Sequence, residues 1–568
     1  MKYLFLLLWF VFSLQSYSQN SILIDGYFSD WNDVNTILID APDNNSLDLL
    51  SFQVTNDQDY LYIHLILNSE IQLMGDLFTQ SIYLYLDTDN NSNTGFNPQS
   101  NYGTELGVNF KQHFAYYNVT PFSTVTLNSL GLIAAPTVSS NEFEIAIRRD
   151  AIPDGSNPLF PSNTIKILFQ ETIGGDNLPN DGDVFTYEFN NDNPSVFTPI
   201  SLQKESSSFI RTMAFNTLFD GITDPNLQNE YERILQSIQP QVIGFSECVN
   251  SSASQVKSRL DEWLPSPDPN GWYVIKDDYD LVTASLWPFI NSWPNLQRQF
   301  PTLIDLPSSY PKDLLFTNAH LKCCDGNDLR QLQVDEYAAF ILDAKVPGGN
   351  ISLEENTPII YAGDLNLVGF GSQLTTLLTG EIQNTDLYDQ GGFLDWDNTI
   401  NKDLSPIHSD QFSSFTWQDE SSEYTPSRID YIIYADAVVH AEKSFVLNTR
   451  EMSEERLQEY NLEYDDSFYA SDHLPVVMDF SFVTNVAVSE KTTSNASIFP
   501  NPTDGQVVIS NVPLNSSVAI FSLIGEEIMT IKINNSRQII DLSLFDSGVY
   551  FIEVSTKNNT MTSTIIKK

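Results

Sequence analysis

Cysteine is scarce in this chain, with only three among 568 residues. Three cysteines cannot build the disulfide network of a small secreted domain or a zinc site with four sulfur ligands. Basic residues are also few: 27 Lys and Arg stand against 74 Asp and Glu, which gives a formal net charge of -47. A chain this acidic gains little from counterion release on a polyanion, which argues against a non-enzymatic DNA-binding protein. An enzyme that acts on nucleic acid stays open, because a bound divalent cation can supply local positive charge.

Long hydrophobic runs are absent from the sequence after its first residues. The chain opens with a basic start, MKY, and an apolar run, LFLLLWFVF, followed by small polar residues. This run has about half of the ~20 residues that a membrane-spanning helix needs, whereas it fits a secretory signal peptide. We predict cleavage after the Ser16-x-Ser18 pattern, just before Gln19, so that residues 1–18 form the signal peptide. The mature protein is therefore expected to be exported and to have no transmembrane segment.

The mature chain divides into three regions of different pattern. Residues 20–200 contain short alternating strands such as YLYIHLIL and FEIAIRRD, which are typical of an antiparallel β-sandwich. Residues 207–482 alternate apolar runs with helical periods such as LRQLQVDEYAAFILDA, which predicts an α/β sandwich of two sheets flanked by helices. A Ser/Thr-rich linker, 483–497, precedes residues 498–568, whose short strands and Gly turns predict a small Ig-like β-sandwich. The polar stretch 201–208 reads as a linker between the first two regions.

Polar side chains recur at the ends of hydrophobic runs in the central region. Because the strand ends of a layered fold meet at one rim, we expect these side chains to lie together. Carboxylate and amide oxygens are the ligands that Mg²⁺ or Mn²⁺ prefers, and a histidine can move protons. The pattern therefore predicts a metal-dependent phosphate site. Its members are Asn216, Glu247, His320, Asp364, Asn366, Asp430, Asp472 and His473.

The residues of these segments and their order along the chain resemble the endonuclease/exonuclease/phosphatase superfamily. The matching segments are FNTL, GFSE, TNAHL, GDLN, RIDYI and SDHLPV, and they occur in this order between residues 209 and 482. The resemblance implies a DNase I-like, four-layer α/β sandwich. It also implies a metal-dependent enzyme that cleaves phosphate esters. It covers the central region and nothing outside it.

The resemblance implies particular metal and phosphate ligands. Glu247 would bind Mg²⁺ (or Mn²⁺), with Asn216 beside it and Asp472 as a further ligand. Whether one or two metal ions act stays open. Arg330, on the predicted helix after TNAHL, is either a phosphate contact or a structural residue.

The same resemblance implies catalytic roles. His473 would activate the attacking water or stabilise the phosphoryl oxygens, and Asp430 would orient its ring. Asp364 and Asn366 would position the water and the scissile phosphate. His320 would bind the phosphate and protonate the leaving group.

The first region carries two segments, IDGYFSDW and LDTDNNSNTGF, that resemble family 9 carbohydrate-binding modules. The resemblance implies a glycan as a partner of this region. Asp87, Asp89 and Asn91 alternate in the second segment and offer oxygen ligands for Ca²⁺. An Asx-rich hairpin turn without a metal explains the same residues, so both interpretations stay open.

The three cysteines lie near two of the polar segments. Cys248 follows Glu247 directly, and Cys323 and Cys324 come shortly after His320. Disulfides persist in an exported chain, so one member of the adjacent pair is a candidate to bridge to Cys248 and brace the site. Three unpaired thiols are the alternative.

The last region begins with FPNPTDG, contains GVYFIEV and ends in two lysines. It resembles the type A sorting domain of the type IX secretion system. The resemblance implies that the type IX machinery is a partner, that the domain is removed, and that the protein is released or attached to the outer cell surface.

These features lead to one functional hypothesis and two rivals. The first is a secreted or surface-attached, Mg-dependent phosphodiesterase, namely a nuclease that hydrolyses extracellular DNA or RNA. The second is a sphingomyelinase, a phospholipase C or a phosphatase of small esters, in which the segment SLWPFINSWPN (285–295) would favour lipid. The third is a glycan-binding surface protein whose central domain is inert.

Overall fold

The computed structural model describes most of the chain between residues 22 and 483. The described ranges are 22–42, 45–75, 78–119, 122–191 and 197–483, together with the C-terminal strands and a few residues beside them. The predicted signal peptide, 1–18, lies outside the described residues, and so does nearly all of the predicted linker 483–497. The chain divides into two compact units, Met1–Val483 and Thr484–Lys568. No helix in the described parts is both long enough and apolar enough to cross a membrane.

The first part of the chain contains twelve strands. They are β1 (Ile37–Ile39), β2 (Leu49–Asn56), β3 (Tyr60–Ile71), β4 (Ile82–Asp87), β5 (Leu106–Asn109), β6 (Phe114–Tyr117), β7 (Ser123–Thr126), β8 (Ile133–Ala135), β9 (Ser140–Arg148), β10 (Thr164–Glu171), β11 (Asn177–Leu178) and β12 (Phe185–Glu188). Two 3-10 helices, Phe28–Asp33 and Asn128–Leu130, accompany them.

These strands form two antiparallel sheets that share a core, as predicted for a β-sandwich. One sheet has the order β1-β2-β3-β9-β8, and the other β11-β10-β4-β5-β6-β7 with β12 paired to β10. Alternate side chains of each sheet point into the core, where Phe52 of β2 meets Phe169 of β10 with ring centroids 5.5 Å apart. Trp31 is buried in the structure and is therefore not available for stacking on a sugar.

The central region also contains twelve strands. They are β13 (Ile210–Asn216), β14 (Val242–Ser246), β15 (Tyr273–Lys276), β16 (Val282–Ser285), β17 (Phe289–Ser292), β18 (Gln299–Ile304), β19 (Leu314–His320), β20 (Ile359–Asp364), β21 (Lys402–Leu404), β22 (Asp430–Tyr434), β23 (Val439–Val446) and β24 (Val476–Phe482). The first sheet has the order β15-β16-β14-β13-β24-β23, and the second β17-β18-β19-β20-β22-β21. Neighbouring strands are antiparallel except β13 with β14 and β19 with β20.

Seven α-helices accompany these sheets among the described residues. They are α1 (Gln228–Ile238), α2 (Ala253–Trp263), α3 (Asn327–Ala344), α4 (Ser372–Thr379), α5 (Thr385–Tyr388), α6 (Glu454–Tyr460) and α7 (Asp466–Ala470). Two 3-10 helices, Gly221–Thr223 and Thr449–Glu451, complete the set.

The helices cover the outer faces of the two sheets. Buried residues of α1 and α2 share a core with Met213 and Phe215 of β13. On the second sheet, Tyr337 of α3 packs against Tyr361 of β20 with ring centroids 4.4 Å apart. The inner faces meet each other, where Asn318 Nδ2 of β19 donates to the Phe245 carbonyl of β14 at 2.8 Å. The predicted α/β sandwich of two sheets flanked by helices is therefore observed.

Outward-facing side chains of one sheet of the N-terminal sandwich, such as Tyr62, Ile133 and Ala146, join a hydrophobic cluster of the central sheets. Polar contacts reinforce it: Tyr27 Oη donates to Asp403 Oδ2 at 2.8 Å, and Ser414 Oγ donates to the Ile24 carbonyl at 2.6 Å. Within the stretch 201–208, Leu202 is fully buried and its N–H donates to Tyr460 Oη at 3.3 Å. The stretch contains no helix or strand, and its role as a linker stays a prediction. The exact boundary between the first two regions stays a prediction.

The described residues of the C-terminal unit form two small antiparallel sheets. Its strands are β25 (Ser497–Phe499), β26 (Gln506–Ser510), β27 (Ser517–Phe521), β28 (Glu527–Lys532), β29 (Arg537–Asp541), β30 (Gly548–Ser555) and β31 (Thr560–Lys567). One sheet has the order β25-β26-β29 and the other β28-β27-β30-β31. Val507, Val518, Ile540 and Ile552 belong to their common core, as expected for a small β-sandwich.

A buried ion pair joins two neighbouring inner strands of the first central sheet. Arg211 of β13 and Asp479 of β24 are only 2 % and 1 % exposed. Two parallel hydrogen bonds connect them, from Nε at 2.5 Å and from Nη2 at 2.7 Å. Arg211 Nη1 also donates to the carbonyls of Leu202 and Ile238, both at 2.6 Å. The guanidinium therefore holds three segments of the chain together.

We expect Asp479→Asn to lower the free energy of unfolding by about 3–5 kcal/mol, because it leaves the buried guanidinium without its counter-charge. Urea unfolding of the two proteins measures the difference. Lys402→Gln is the matched control, since Lys402 pairs with Asp436 at the surface and such pairs contribute about 0–1 kcal/mol. An Asp479→Asn loss no larger than that of the control would contradict this account.

Candidate active site

Strand ends from both central sheets meet at one rim. In the first sheet, β13 ends at Asn216, and its parallel neighbour β14 is followed directly by Glu247. In the second sheet, His320 at the end of β19 pairs with Asp364 at the end of β20, which pairs with Asp430 at the start of β22. The register of neighbouring strands thus places five of the predicted site residues at one edge of the sandwich.

Asp364 lies at the centre of the rim and is 3 % exposed. Its Oδ2 accepts a hydrogen bond from Asn216 Nδ2 at 3.1 Å. The Nε2 atoms of two histidines face the same oxygen, His320 at 3.5 Å and His473 at 3.8 Å. Burial raises the pKa of Asp364, while the two imidazoles oppose that effect. One carboxylate oxygen is therefore the meeting point of both histidines.

His473 is held by a second carboxylate. Its Nδ1 lies 2.8 Å from Asp430 Oδ2, which also accepts a hydrogen bond from Thr416 Oγ1 at 2.8 Å. Burial alone would lower the pKa of His473, but Asp430 and Asp364 outweigh it and raise that pKa to about 10. The two carboxylates therefore favour the protonated form of His473, whose Nε2 also lies 3.3 Å from Asn216 Nδ2.

His320 has a partner that the sequence analysis missed. Its Nδ1 lies 2.6 Å from Asp280 Oδ2, and Arg298 Nη2 lies 3.6 Å from the same oxygen. Asp280 is 3 % exposed although it belongs to the acidic turn KDDYD, which looks like a solvated loop. Its position in the sequence could have indicated it: Asp280 comes just before β16, an antiparallel neighbour of β14, and therefore lies at the same rim. Each histidine of the rim thus has its own carboxylate.

Asn366 turns the chain immediately after Asp364. Its φ of 48° lies in the left-handed region, which asparagine tolerates better than most residues. Its backbone N–H donates to Asp364 Oδ1 at 3.0 Å, and its Nδ2 donates to the Leu321 carbonyl at 3.3 Å. Asn366 therefore fixes the rotation of the Asp364 carboxylate.

The three residues predicted to bind metal do not play equal parts. Glu247 is half-buried, and its two oxygens accept hydrogen bonds from Asn216 Nδ2 at 3.1 Å and from the Phe219 N–H at 3.0 Å. Asn216 directs its N–H groups at the carboxylates, and its Oδ1 accepts from the Leu218 N–H at 3.1 Å, so Asn216 positions Glu247 instead of offering an oxygen. Asp472 is half-buried, and Trp417 Nε1 donates to its Oδ2 at 2.9 Å.

The donor set of the rim fits a hard divalent cation. Among the described residues, no Lys or Arg forms an ion pair with Glu247, Asp364, Asp430 or Asp472. Asp430 Oδ1 is buried and has no hydrogen-bond partner. Concentrated carboxylate oxygens without basic side chains are typical of Mg²⁺ or Mn²⁺ sites. Ligand atoms of Asp364, Asp430 and His473 lie within 4.8 Å of one another, so these three residues form a further candidate ligand group at the rim.

Arg330 does not lie at the rim as a phosphate contact. The side chain is fully buried on α3, and its Nη1 donates to the Lys322 carbonyl at 2.6 Å and the Cys324 carbonyl at 2.9 Å. Nη2 donates to Asn327 Oδ1 at 2.7 Å. Because these N–H donors are all used inside the protein, Arg330 stabilises the loop after His320. Of its two interpretations from the sequence, the structural one fits these contacts.

The predicted disulfide bridge is wrong, because all three cysteines are free. Cys248 is buried in the core on the outer face of the first sheet, with its Sγ 3.6 Å from Thr217 Oγ1. Cys323 and Cys324 instead follow β19 of the second sheet. Burial raises the pKa of the Cys248 thiol to about 12, so it is not a reactive group. Nearness in sequence to the rim did not reveal on which face the side chain lies.

The N-terminal sandwich holds two loops of the rim. After Asn366, the carbonyl of Leu367 accepts from Thr137 Oγ1 at 2.5 Å, and that of Gly369 accepts from the Ser139 N–H at 2.7 Å. After Trp417, a second loop is held by Asn128. Its Nδ2 donates to the carbonyls of Asp419, Ser422 and Tyr424 at 3.1–3.2 Å. The calcium candidates Asp87, Asp89 and Asn91 belong to this sandwich and not to the rim.

The C-terminal unit matches a known family. Residues 497–568 match the family described as "Secretion system C-terminal sorting domain". This segment is a secretion sorting domain. It directs the protein through type IX secretion to the cell surface or the outside, as predicted, so the chain is an exported protein. No curated protein matches the chain at a significant level.

Several solved structures are similar to about half of the chain. TDP2 of D. rerio, solved with a single-stranded DNA product, is 16 % identical over 48 % of this chain and 100 % of its own, with a TM-score of 0.31. An endonuclease/exonuclease/phosphatase family protein from Leptotrichia buccalis is 12 % identical over 48 % and 100 %, with a TM-score of 0.29. Sphingomyelinase C from Streptomyces griseocarneus is 12 % identical over 48 % and 99 %, with a TM-score of 0.27. These matches include a member of the superfamily that the motifs resemble. Sequence identities of 12–16 % and TM-scores of 0.27–0.31 assign no activity to this chain.

Asp430→Asn should lower the pKa of His473 from about 10 toward the ordinary value of ~6.5, because it removes the carboxylate bonded to Nδ1. NMR titration of the His473 ring in both proteins, in chelator, measures the change. Since the folded pKa is raised, the pair stabilises the wild-type fold fully below about pH 6.5 and loses that contribution as pH rises through about 10. A wild-type His473 that titrates at or below its ordinary pKa would contradict this assignment.

Proposed function

We propose that this exported protein is a metal-dependent phosphodiesterase that hydrolyses nucleic acid. The main support is the arrangement of His320 and His473. Their Nε2 atoms lie 3.5 and 3.8 Å from Asp364 Oδ2. Their Nδ1 atoms contact Asp280 and Asp430. Two fixed imidazoles around one carboxylate provide proton donors on both sides of a reacting group. Hydrolysis of a phosphate ester needs charge stabilisation at the phosphoryl oxygens and a proton for the leaving group.

The protonation states divide the work among the residues. His473 keeps its proton at neutral pH, so its Nε2–H donates to a phosphoryl oxygen and does not act as the base. Of its two roles inferred from the sequence, this favours oxyanion stabilisation. Asp364, whose pKa is raised by burial, accepts the proton of the attacking water. His320 donates its Nε2 proton to the leaving oxygen, while Asp280 holds Nδ1 and so fixes the ring.

Glu247 and Asp472 are the residues that would hold Mg²⁺ or Mn²⁺, and Asn216 would position Glu247. When bound, the cation supplies positive charge to the phosphoryl oxygens. Glu247 is suited to this because its carboxylate is half-buried and receives neutral N–H donors without a basic partner. Loss of this carboxylate is therefore expected to remove the metal dependence together with the activity.

The exposed groups of the rim favour nucleic acid over lipid. Phe219, whose N–H binds Glu247, is 78 % exposed, and an exposed ring beside a phosphate site can stack on a base. The segment 285–295 does not form a free lipid-contacting hairpin. Trp287 packs against Tyr310 with ring centroids 5.9 Å apart, and Trp293 packs against Phe340 at 5.5 Å. A phosphodiester of DNA or RNA is therefore the first substrate to test.

The proposal predicts hydrolysis of plasmid DNA or RNA that requires Mg²⁺ and stops in EDTA. The full chain would be assayed beside bis-p-nitrophenyl phosphate and sphingomyelin. His473→Ala should reduce turnover by about 10²–10⁴-fold, because a positioned proton donor contributes that much. Glu247→Ala should also lose most of its turnover, whereas Glu459→Ala, an exposed residue of α6, should not.

Turnover of sphingomyelin or small esters without nucleic-acid cleavage would overturn the substrate proposal and leave a phosphoesterase. No turnover of DNA, RNA, bis-p-nitrophenyl phosphate or sphingomyelin would overturn the enzyme proposal. A glycan-binding surface protein would then be the reading to pursue.

Asp280→Asn tests the residue that sequence reasoning missed. We expect turnover to fall by about 10²-fold, because the neutral amide no longer holds the His320 ring in its proton-donating form. Asp280→Glu should recover part of the activity, and the limb of the pH–rate profile that reports the general acid should move in the amide variant. An unchanged pH profile with wild-type turnover would show that Asp280 has no positioning role.

A further inference from the structure

Three carboxylates of the N-terminal sandwich converge beside the loop between β4 and β5. Asp87 ends β4 and is fully buried, Asp89 follows it in the loop, and Glu105 precedes β5 with 4 % exposure. One oxygen from each lies within 4.8 Å of the others. Glu105 comes from the far end of the loop, so the spacing of Asp87, Asp89 and Asn91 could not have indicated it.

One oxygen of Glu105 is buried without a hydrogen-bond partner. Glu105 Oε2 accepts from the Thr88 N–H at 2.8 Å, whereas no donor of the described residues reaches Oε1. The nearby Thr94 hydroxyl is already directed at Asp89 Oδ2 at 2.9 Å and the Asn91 carbonyl at 2.8 Å. A buried, ionised carboxylate oxygen without a donor is strongly unfavourable, and either a bound cation or protonation relieves it.

The charge of the cluster points to a divalent cation. Asp87 Oδ2 has one basic partner, Lys166 Nζ at 2.7 Å. Asp87 and Glu105 are buried and Asp89 is half-buried, and the three ionised carboxylates with one ammonium carry a formal charge of -2. All ligand atoms on offer are oxygens, and the group contains no histidine or cysteine. Such a set favours Ca²⁺ or Mg²⁺ over zinc or copper.

A turn without metal does not explain Glu105. Asp154 forms an ordinary Asx turn, in which its Oδ1 accepts from the Ser156 and Asn157 N–H groups at 2.9 and 2.8 Å. The hydrogen bonds from the Asn91 N–H to Asp87 and Asp89, both 2.9 Å, are of the same kind. The Asx turn thus accounts for the aspartates, but it places no buried glutamate beside them.

We propose that Asp87, Asp89 and Glu105 form a calcium site that ties the β4–β5 loop to the N-terminal sandwich. Ca²⁺ is chosen over Mg²⁺ because a loop assembled from distant residues suits the larger, more variable coordination of Ca²⁺. The exported protein meets calcium outside the cell, where modules of this kind bind with Kd near 10⁻⁴–10⁻³ M, an order-of-magnitude range. This site is independent of the rim and of the proposed hydrolysis.

The test uses the full chain carrying Glu247→Ala, so that the rim does not contribute to cation binding. Isothermal titration with CaCl₂ and thermal unfolding are measured after chelation. We expect one calcium site in the sandwich, a rise in Tm with calcium, and a much smaller rise with magnesium. Glu105→Gln should weaken calcium binding by more than tenfold, since it removes the unpartnered carboxylate.

The Tm of the calcium-free proteins is a second measurement, in which the variant should be the more stable protein. Without calcium, Glu105→Gln should have a higher Tm than its parent, because it removes an uncompensated buried charge. Lys166→Met should bind calcium more tightly, because it removes the competing ammonium. Asp154→Asn, in the ordinary Asx turn, should leave calcium binding unchanged. If Glu105→Gln does not fold, Asp89→Asn is measured in its place.

The proposal is overturned if the Glu247→Ala protein binds no calcium at millimolar concentration. It is also overturned if Glu105→Gln (or Asp89→Asn) binds calcium as tightly as its parent.

Discussion

The burial of several carboxylates at one rim is the constraint on which the central region depends. Asp364 is almost fully buried, and Asp430 and Asp280 lie close by, each against one histidine. Buried negative charges that close together are tolerated only beside protons, N–H donors or cations. The two histidines meet this need, and the same contacts fix their rings in the positions that the proposed acid–base chemistry uses.

The N-terminal sandwich belongs to this arrangement and is not a module on a flexible tether. Side chains of one of its sheets join a hydrophobic cluster of the central sheets, and Asn128 and Thr137 hydrogen-bond loop carbonyls next to the rim. Loops are usually the mobile parts of a site, and such contacts restrict them. The N-terminal sandwich thus has a structural role in holding the loops beside the rim.

The sequence predicted the rim because its residues stand at the ends of long apolar strands, and strand register then brings those ends together. Asp280 was missed because the acidic turn around it looks like an ordinary solvated loop. For Arg330 and Cys248 the sequence left two alternatives open, because position in the sequence does not reveal which way a side chain points. Arg330 points into the protein against carbonyls, and Cys248 points into the outer core. Side-chain direction and partners from distant strands, such as Glu105, appear only in three dimensions.

The central claim is that the carboxylates of the rim hold a divalent cation beside Glu247. Crystals soaked in millimolar MnCl₂ at neutral pH would test it through the anomalous scattering of manganese. The account predicts a peak within about 2.5 Å of a Glu247 carboxylate oxygen, and no such peak in Glu247→Ala crystals. A wild-type map without manganese at the rim, or a peak there that survives Glu247→Ala unchanged, would contradict it.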